Sequence, residues 1–304
     1  MQQQLINVFP TSIRPKMKRI SWDGLEEIRI RIGWPMELIY DNRSEWLGMI
    51  DRYGLNEMLN YITGYSLYAM DEELKQGFLT LDGGHRIGIT GHTTYHDTLN
   101  IGNTKVTNIV DIGGLNFRIA HEKKNCAKQI LPFLRKGQLL YNTILFAVPG
   151  VGKTTYLRDL IRLISNGDKN YRGLKVCVVD ERSEIGACYM GKARNDLGVR
   201  TDILDGCPKD TGMKMMLRSM SPQVIAVDEL GKETEFQIVE EMRCCGVNIL
   251  GTMHAGSIQE LLENPLLKKC ISNSSIERFV ELYKKSDGER SFKIYDKGGC
   301  ELDK

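Results

Sequence analysis

The chain reads as an α/β protein in which a phosphate-loop domain built on a mostly parallel sheet follows a smaller α+β N-terminal domain. Three observations carry that reading. Apolar runs TILFAV, KVCVVD, QVIAVD and VNILGTM alternate with helical segments in the second half, as parallel strands buried on both faces do. The segment LFAVPGVGKTT at 145–155 follows the first run and matches the phosphate-loop pattern G-x-x-x-x-G-K-[ST], except that Ala147 stands at the first glycine. The first half instead alternates apolar and polar positions in short stretches between turn signals, which is the pattern of antiparallel hairpins.

Taken in order, EEIRIRIGWPMELIY at 26–40 alternates on both sides of Gly33-Trp34-Pro35 and predicts two strands with a turn. Residues 56–76 predict a helical region, and GFLTLDGGHRIGIT a second hairpin across Asp82-Gly83-Gly84. Strand-like text runs on to GLNFRIA at 114–120. The texture changes from Gln138, so the boundary is expected near 122–138, with domains at 1–138 and 139–304. A helix is expected from about Gly152 to Ser165 with Gly167 as terminator. Another is expected over Gly231 to Cys245, with Phe236, Val239, Met242 and Cys245 along one stripe. Met213, Met216 and Met220 predict a core face on a helix that also carries Arg218. RFVELYKKSDGERSFKIYD closes the chain as a hairpin turning at Asp287-Gly288.

With 304 residues, the chain is long enough for two domains. Its 41 basic and 39 acidic residues leave a net charge of +2, without the electrostatic footprint of a nucleic-acid or anionic-membrane binder. No nucleic-acid partner is expected. The eight cysteines include a vicinal pair, Cys244-Cys245, but no C-x-x-C spacing, which points to reduced thiols and no metal site of their own. No run approaches the ~18 apolar residues of a membrane span, and MQQQLINVFP lacks the apolar core of a signal peptide. The expected location is cytoplasmic, at a membrane only through a partner.

The phosphate loop defines the candidate nucleotide site: Pro149, Gly150, Val151, Gly152, Lys153, Thr154 and Thr155. Gly150 and Gly152 let the backbone curl so that N–H groups face phosphate oxygens, and the following helix adds its positive end. Lys153 is positioned for the β- and γ-phosphates, and the Thr154 hydroxyl for Mg²⁺. The first glycine supplies none of the inward N–H groups, so Ala147 is tolerated wherever φ is negative. In VIAVDE at 224–229, Asp228 is placed to hold the Mg²⁺ shell and Glu229 to polarise the attacking water. KVCVVDERSE ends in Asp180, Glu181 and Glu184, and NILGTMH ends in Thr252 and His254. Ligands of open parallel sheets bind outside the carboxyl ends of the strands, so these ends are expected to converge on the loop. Glu181 then helps to polarise water, and His254 senses the γ-phosphate. His254 precedes Ser257-Ile-Gln-Glu260, a capping box opening a helix.

The order AVPGVGKTTYLRDLIR, VVDERSEI, LRSMSPQVIAVDELG, GTMHAGS resembles the secretion ATPases of type II and type IV machines. EEIRIRIGWPMELI, TTYLRDLIRLIS and NDLGVRTDILDGCPKDTGMKMMLRSMSP are similar, more narrowly, to the stage III sporulation AA family of endospore-forming bacteria. The resemblance spans nearly the whole chain. It implies a RecA-like C-terminal domain, an N-terminal domain covering the nucleotide, and a homo-hexameric ring. By position it implies Arg86 and Arg118 as arginines approaching the γ-phosphate, although both also suit solvated strand positions. It further implies an Mg²⁺-dependent ATPase energising assembly or transport at membrane-embedded components of the mother-cell to forespore channel. Asp228 is present where many secretion ATPases lack an acid before the catalytic Glu. A nucleotide-gated structural ring with negligible turnover is the competing reading, and a water-polarising Glu229 argues against it. A small-molecule kinase lacks its arginine-rich lid here, and a motor on nucleic acid lacks the charge. ATP is preferred over GTP only because no N-K-x-D segment specifies guanine.

Overall fold

The computed structural model describes residues 2–40, 43–64, 77–81, 85–96, 105–119, 123–188 and 191–302. The chain divides into two compact units, Met1–His121 and Glu122–Lys304. The sequence places the boundary near 122–138 and the second domain from 139, and there is a physical cause for the unit starting at the early end of that range. Ala127, Ile130, Leu131 and Leu134 are buried in the core of the second unit. Asp159 of that unit accepts hydrogen bonds from the backbone N–H of Asn125 (3.0 Å) and Ala127 (2.9 Å). The change of texture near Gln138 marks where the sheet begins, whereas the folded unit starts earlier.

In the first unit, helices Gln2–Val8 (α1), Arg14–Met17 (α2) and Arg52–Ile62 (α3) accompany a six-stranded sheet. Its strands are Leu25–Arg31 (β1), Pro35–Tyr40 (β2), Arg43–Met49 (β3), Phe78–Leu81 (β4), His85–His96 (β5) and Lys105–Arg118 (β6), in the order β3-β2-β1-β6-β5-β4 with every neighbour antiparallel. Both predicted hairpins form, as β1–β2 and β4–β5; the turn at 82–84 and the predicted helical text at 65–76 lie outside the described residues. The alternation that predicts the strands also sorts their faces. Ile28, Ile30, Leu38, Ile87, Leu115 and Phe117 join Phe9, Leu55 and Met58 in one core. Arg86 and Arg118 point to the other face, directly opposite each other across β5 and β6.

The second unit opens with Leu131–Leu134 (α4) and a short ribbon of Arg135–Lys136 (β7) and Leu139–Leu140 (β8). Its main sheet contains Thr143–Ala147 (β9), Val176–Asp180 (β10), Thr201–Asp205 (β11), Val224–Val227 (β12), Asn248–His254 (β13), Arg278–Lys284 (β14) and Arg290–Asp296 (β15). The order is β11-β10-β12-β13-β9-β14-β15, parallel throughout except for β15 against β14. Thus β13 lies between the phosphate-loop strand and the strand that carries the acid pair.

Helices Lys153–Asn166 (α5), Lys209–Ser219 (α6), Glu233–Cys244 (α7), Ile258–Glu263 (α8) and Pro265–Ser272 (α9) complete the second unit. Both sheet faces are covered, which is why the four strand texts are apolar at almost every position. Val176 and Val178 of β10 face one core with α5, while Cys177 and Val179 face the other with α6 and α7. The predicted stripe on α7 holds for Phe236, Val239 and Met242, but Cys245 caps the helix and is exposed. Met213 and Met216 are core, as expected, whereas Met220 lies past the end of α6 and is 41% exposed. All eight cysteines are free thiols.

Candidate active site

β9 ends at Ala147, whose methyl group is buried and whose φ is not positive, so alanine replaces the first glycine without strain. Beyond it Gly150 (φ +81°) and Gly152 (φ +108°) take left-handed backbone that L side chains rarely adopt. Gly152 opens directly into α5, whose first-turn N–H groups have no intrahelical acceptor. Loop and helix terminus together form an anion cradle. Arg290, from β15, braces this loop: its Nε donates to Val151 O (2.8 Å), and a Cβ on Gly152 would stand 3.4 Å from the same nitrogen. Sequence reasoning missed Arg290, because nothing local in a closing hairpin signals a contact so far along the chain.

Five residues named from the sequence, Lys153, Thr154, Asp228, Glu229 and His254, meet at this cradle. Thr154 Oγ1 donates to Asp228 Oδ2 (2.7 Å). Lys153 is buried, and its Nζ donates to Ala147 O (3.1 Å) and contacts His254 Nδ1 (3.0 Å). Burial holds its ammonium below the usual lysine range, a shift that Asp228 and Glu229 oppose. An ammonium only donates, so Nδ1 of His254 is the acceptor and the ring proton sits on Nε2, which lies 3.0 Å from Glu229 Oε1. His254 therefore links the loop lysine to the acid.

Glu229 has a left-handed backbone (φ +51°), which costs a non-glycine residue about 1–2 kcal/mol. Its N–H donates to Thr252 Oγ1 (2.8 Å) and Asp228 Oδ1 (3.1 Å), and its carbonyl accepts from Lys209 Nζ (2.7 Å). The Thr252 hydroxyl in turn donates to Asp228. Oε2 of Glu229 is paired with Arg182 at 3.0 Å. Partial burial pushes this carboxyl up, but the hydrogen bond to His254 and the charge of Arg182 outweigh it and hold the group below the usual range.

The acidic strand end of β10 has its own set of partners. Asp180 is almost fully buried and caps its own loop, accepting from the N–H groups of Glu184 (2.9 Å), Ile185 (2.9 Å) and Gly186 (2.7 Å). Burial pushes it up to about 6 against those three donors. The carboxylate of Glu181 lies 3.3 Å from Lys209 Nζ. Glu184 belongs to the loop that α5 grips through Arg158, whose guanidinium donates to the carbonyls of Glu184 (2.8 Å) and Ile185 (3.0 Å). Ser257 caps α8 by accepting from Glu260 N (3.2 Å), although the Glu260 carboxylate reaches back to Gly256 N (2.6 Å), one residue before the cap. Arg86 and Arg118 belong to the N-terminal sheet, where Arg86 stacks over Phe78 at 4.8 Å and Arg118 is exposed. Arg218 is exposed near the end of α6.

A sheet of this strand order, with a phosphate loop and acidic and histidine strand ends along its carboxyl edge, has the RecA-like fold of the secretion ATPases. Solved structures with this fold include the ATPase DotB of Yersinia pseudotuberculosis, with a TM-score of 0.60 and 12% identity over 95% of this chain and 80% of that one. The pilus retraction motor PilT, determined with bound ADP, gives a TM-score of 0.58 and 14% identity over 89% and 78%. Within that fold the chain belongs to the family sporulation stage III, protein AA, whose model matches residues 1–302. Stage III sporulation protein AA of Bacillus subtilis (strain 168) is 37% identical over 300 residues, which cover 97% of this chain and 95% of the relative.

Proposed function

We propose that the chain is an Mg²⁺-dependent ATPase whose turnover energises assembly or transport at the mother-cell to forespore channel during endospore formation. The observation that carries this reading is the convergence of Lys153, Thr154, Asp228, Glu229 and His254 at one edge of the sheet. The residues present suit the nucleotide. Two left-handed glycines leave room for phosphate against the backbone, and a buried lysine stands at the loop's end. Mg²⁺ is usually held by one or two carboxylates together with substrate phosphates. The Thr154–Asp228 pair fits that need, and among the described residues no cluster of three or more His, Cys, Asp or Glu offers an all-protein cage instead.

When bound, the metal supplies charge neutralisation at the β- and γ-phosphates. The chain's own groups do the rest. Lys153 exchanges its carbonyl and imidazole partners for phosphate oxygens, and Glu229 accepts a proton from the attacking water. His254 keeps its Nε2 proton toward Glu229 and orients it. Arg86 and Arg118 are included among the catalytic groups on the strength of the family resemblance, and Glu181 as a supporting acid.

The working form in this reading is a homo-hexamer, cytoplasmic and held at the membrane by channel components. Among the described residues no helix is long and apolar enough to cross a membrane. Mg-ATP turnover measured against protein concentration, with mass recorded alongside, tests enzyme and assembly together. Turnover per chain is expected to rise as the ring forms. Nucleotide binding without turnover at any concentration refutes the ATPase and leaves a nucleotide-gated ring.

A further inference from the structure

Lys209 is in an unfavourable place for a cation. It is the first residue of α6, where the helix dipole opposes positive charge, and it is only 9% exposed. No side chain caps this helix at Pro208. The ammonium is offset by three partners from three different segments: Glu229 O at 2.7 Å, Glu181 Oε2 at 3.3 Å and Glu235 Oε1 at 3.6 Å. Glu235 is itself buried, and its other oxygen accepts from Gly231 N (2.8 Å) and Lys232 N (3.1 Å), two of the three residues that lead from the acid pair into α7. Gly212, one turn into α6, permits the approach: a Cβ there would lie 2.4 Å from Val179 Cγ1 of β10. A glycine inside a helix is a local cost. Here it lets α6 sit close enough to the sheet for Lys209 to reach the end of β12.

We infer that Lys209 is a positioning residue for Glu229: by binding the carbonyl of a left-handed residue, it fixes the direction in which that carboxylate faces. The inference rests on the reading of Glu229 as the water-polarising acid. Thr252 holds the N–H side of the residue and Lys209 the C=O side, so the peptide planes on both sides of Glu229 are pinned. Glu181 acquires a different part in this arrangement. Its carboxylate balances Lys209, and it supports Glu229 through that cation rather than by taking a proton from water.

The test compares Lys209→Met, which keeps length and loses every donor, with Lys209→Arg, which keeps charge and donors, and with Gly212→Ala, which leaves Lys209 intact and moves its helix. Three quantities are read on the full chain: Kd for a fluorescent ATP analogue, kcat, and hydrogen exchange of the 224–236 segment by mass spectrometry. Lys209→Met is expected to leave Kd unchanged and to lower kcat about 10²-fold, the scale of a small misplacement of a catalytic group. Exchange should rise at 228–232 while β9 and β10 keep their protection. Gly212→Ala should move both quantities in the same direction, and Lys209→Arg should recover part of each. Unchanged exchange at 228–232, or raised exchange with wild-type kcat, overturns the inference. So does a general loss of protection with kcat per folded molecule intact, which marks a stabilising residue only. If wild-type protein shows no turnover, the ATPase reading fails, while the exchange comparison still decides whether Lys209 holds the Glu229 backbone.

Discussion

Lys153 must be cationic to hold phosphate, yet burial works against its charge, and in this structure a carbonyl and an imidazole satisfy two of its donors. Its contact with nucleotide would be a charge-assisted hydrogen bond, worth about 1.5–3 kcal/mol. Lys153→Ala should therefore lower affinity for a fluorescent ATP analogue roughly 10- to 150-fold, and unchanged affinity in a folded variant removes the phosphate-loop assignment. Glu229→Gln preserves shape but cannot accept a proton, so it should bind ATP and retain it without turnover; wild-type hydrolysis in that variant refutes its role. Lys153 was legible in the sequence from the phosphate-loop pattern, and Glu229 because it follows an apolar run that has to be a buried strand. The partners that hold them were not. Lys209 reads as an ordinary helix residue and Arg290 as an ordinary strand residue, and their contacts depend on how α6 and the closing hairpin pack.

At the scale of elements, regular apolar runs were the readable signal and edges were the blind spot. β9, β10, β12 and β13 are apolar at almost every position because both sheet faces are covered. β11, with two acids in TDILD, is an edge strand that the apolar-run signal does not reach. Likewise RSEWLGM of β3 is largely exposed and shows no alternation. The segment before Gln138 belongs to neither class. It contains little regular structure, yet it is bonded to Asp159 and buries Ile130, Leu131 and Leu134. Fully burying one such side chain contributes about 1.5–3 kcal/mol. A 122–304 fragment should therefore resist urea better than a 139–304 fragment by several kcal/mol, with a larger m-value for the longer chain. Equal midpoints would show that the segment only decorates the second unit.

For the molecule as a whole, activity and assembly are expected to be coupled, and the N-terminal arginines offer a direct probe of that coupling. If Arg86 or Arg118 acts on the nucleotide of another copy, inactive Arg118→Ala and inactive Glu229→Gln chains should recover partial turnover when mixed, because some sites regain a full set of groups. An arginine finger contributes about 10³–10⁵-fold, so the recovery stands well above background. Full activity in the double arginine variant would assign the N-terminal sheet to docking alone. The insertion of β13 between β9 and β12 has a further consequence. Neighbouring strands are spaced about 4.8 Å apart, so one intervening strand sets the loop strand and the acid strand about 9.6 Å apart. In the proposed reaction that spacing separates the phosphate-binding wall from the water-polarising wall, and the tip of β13 touches both, with Thr252 toward the acid pair and His254 between the lysine and Glu229. The sheet thus acts as a calliper whose opening is set by strand count, so side-chain changes at the rim can retune the chemistry without resizing the site.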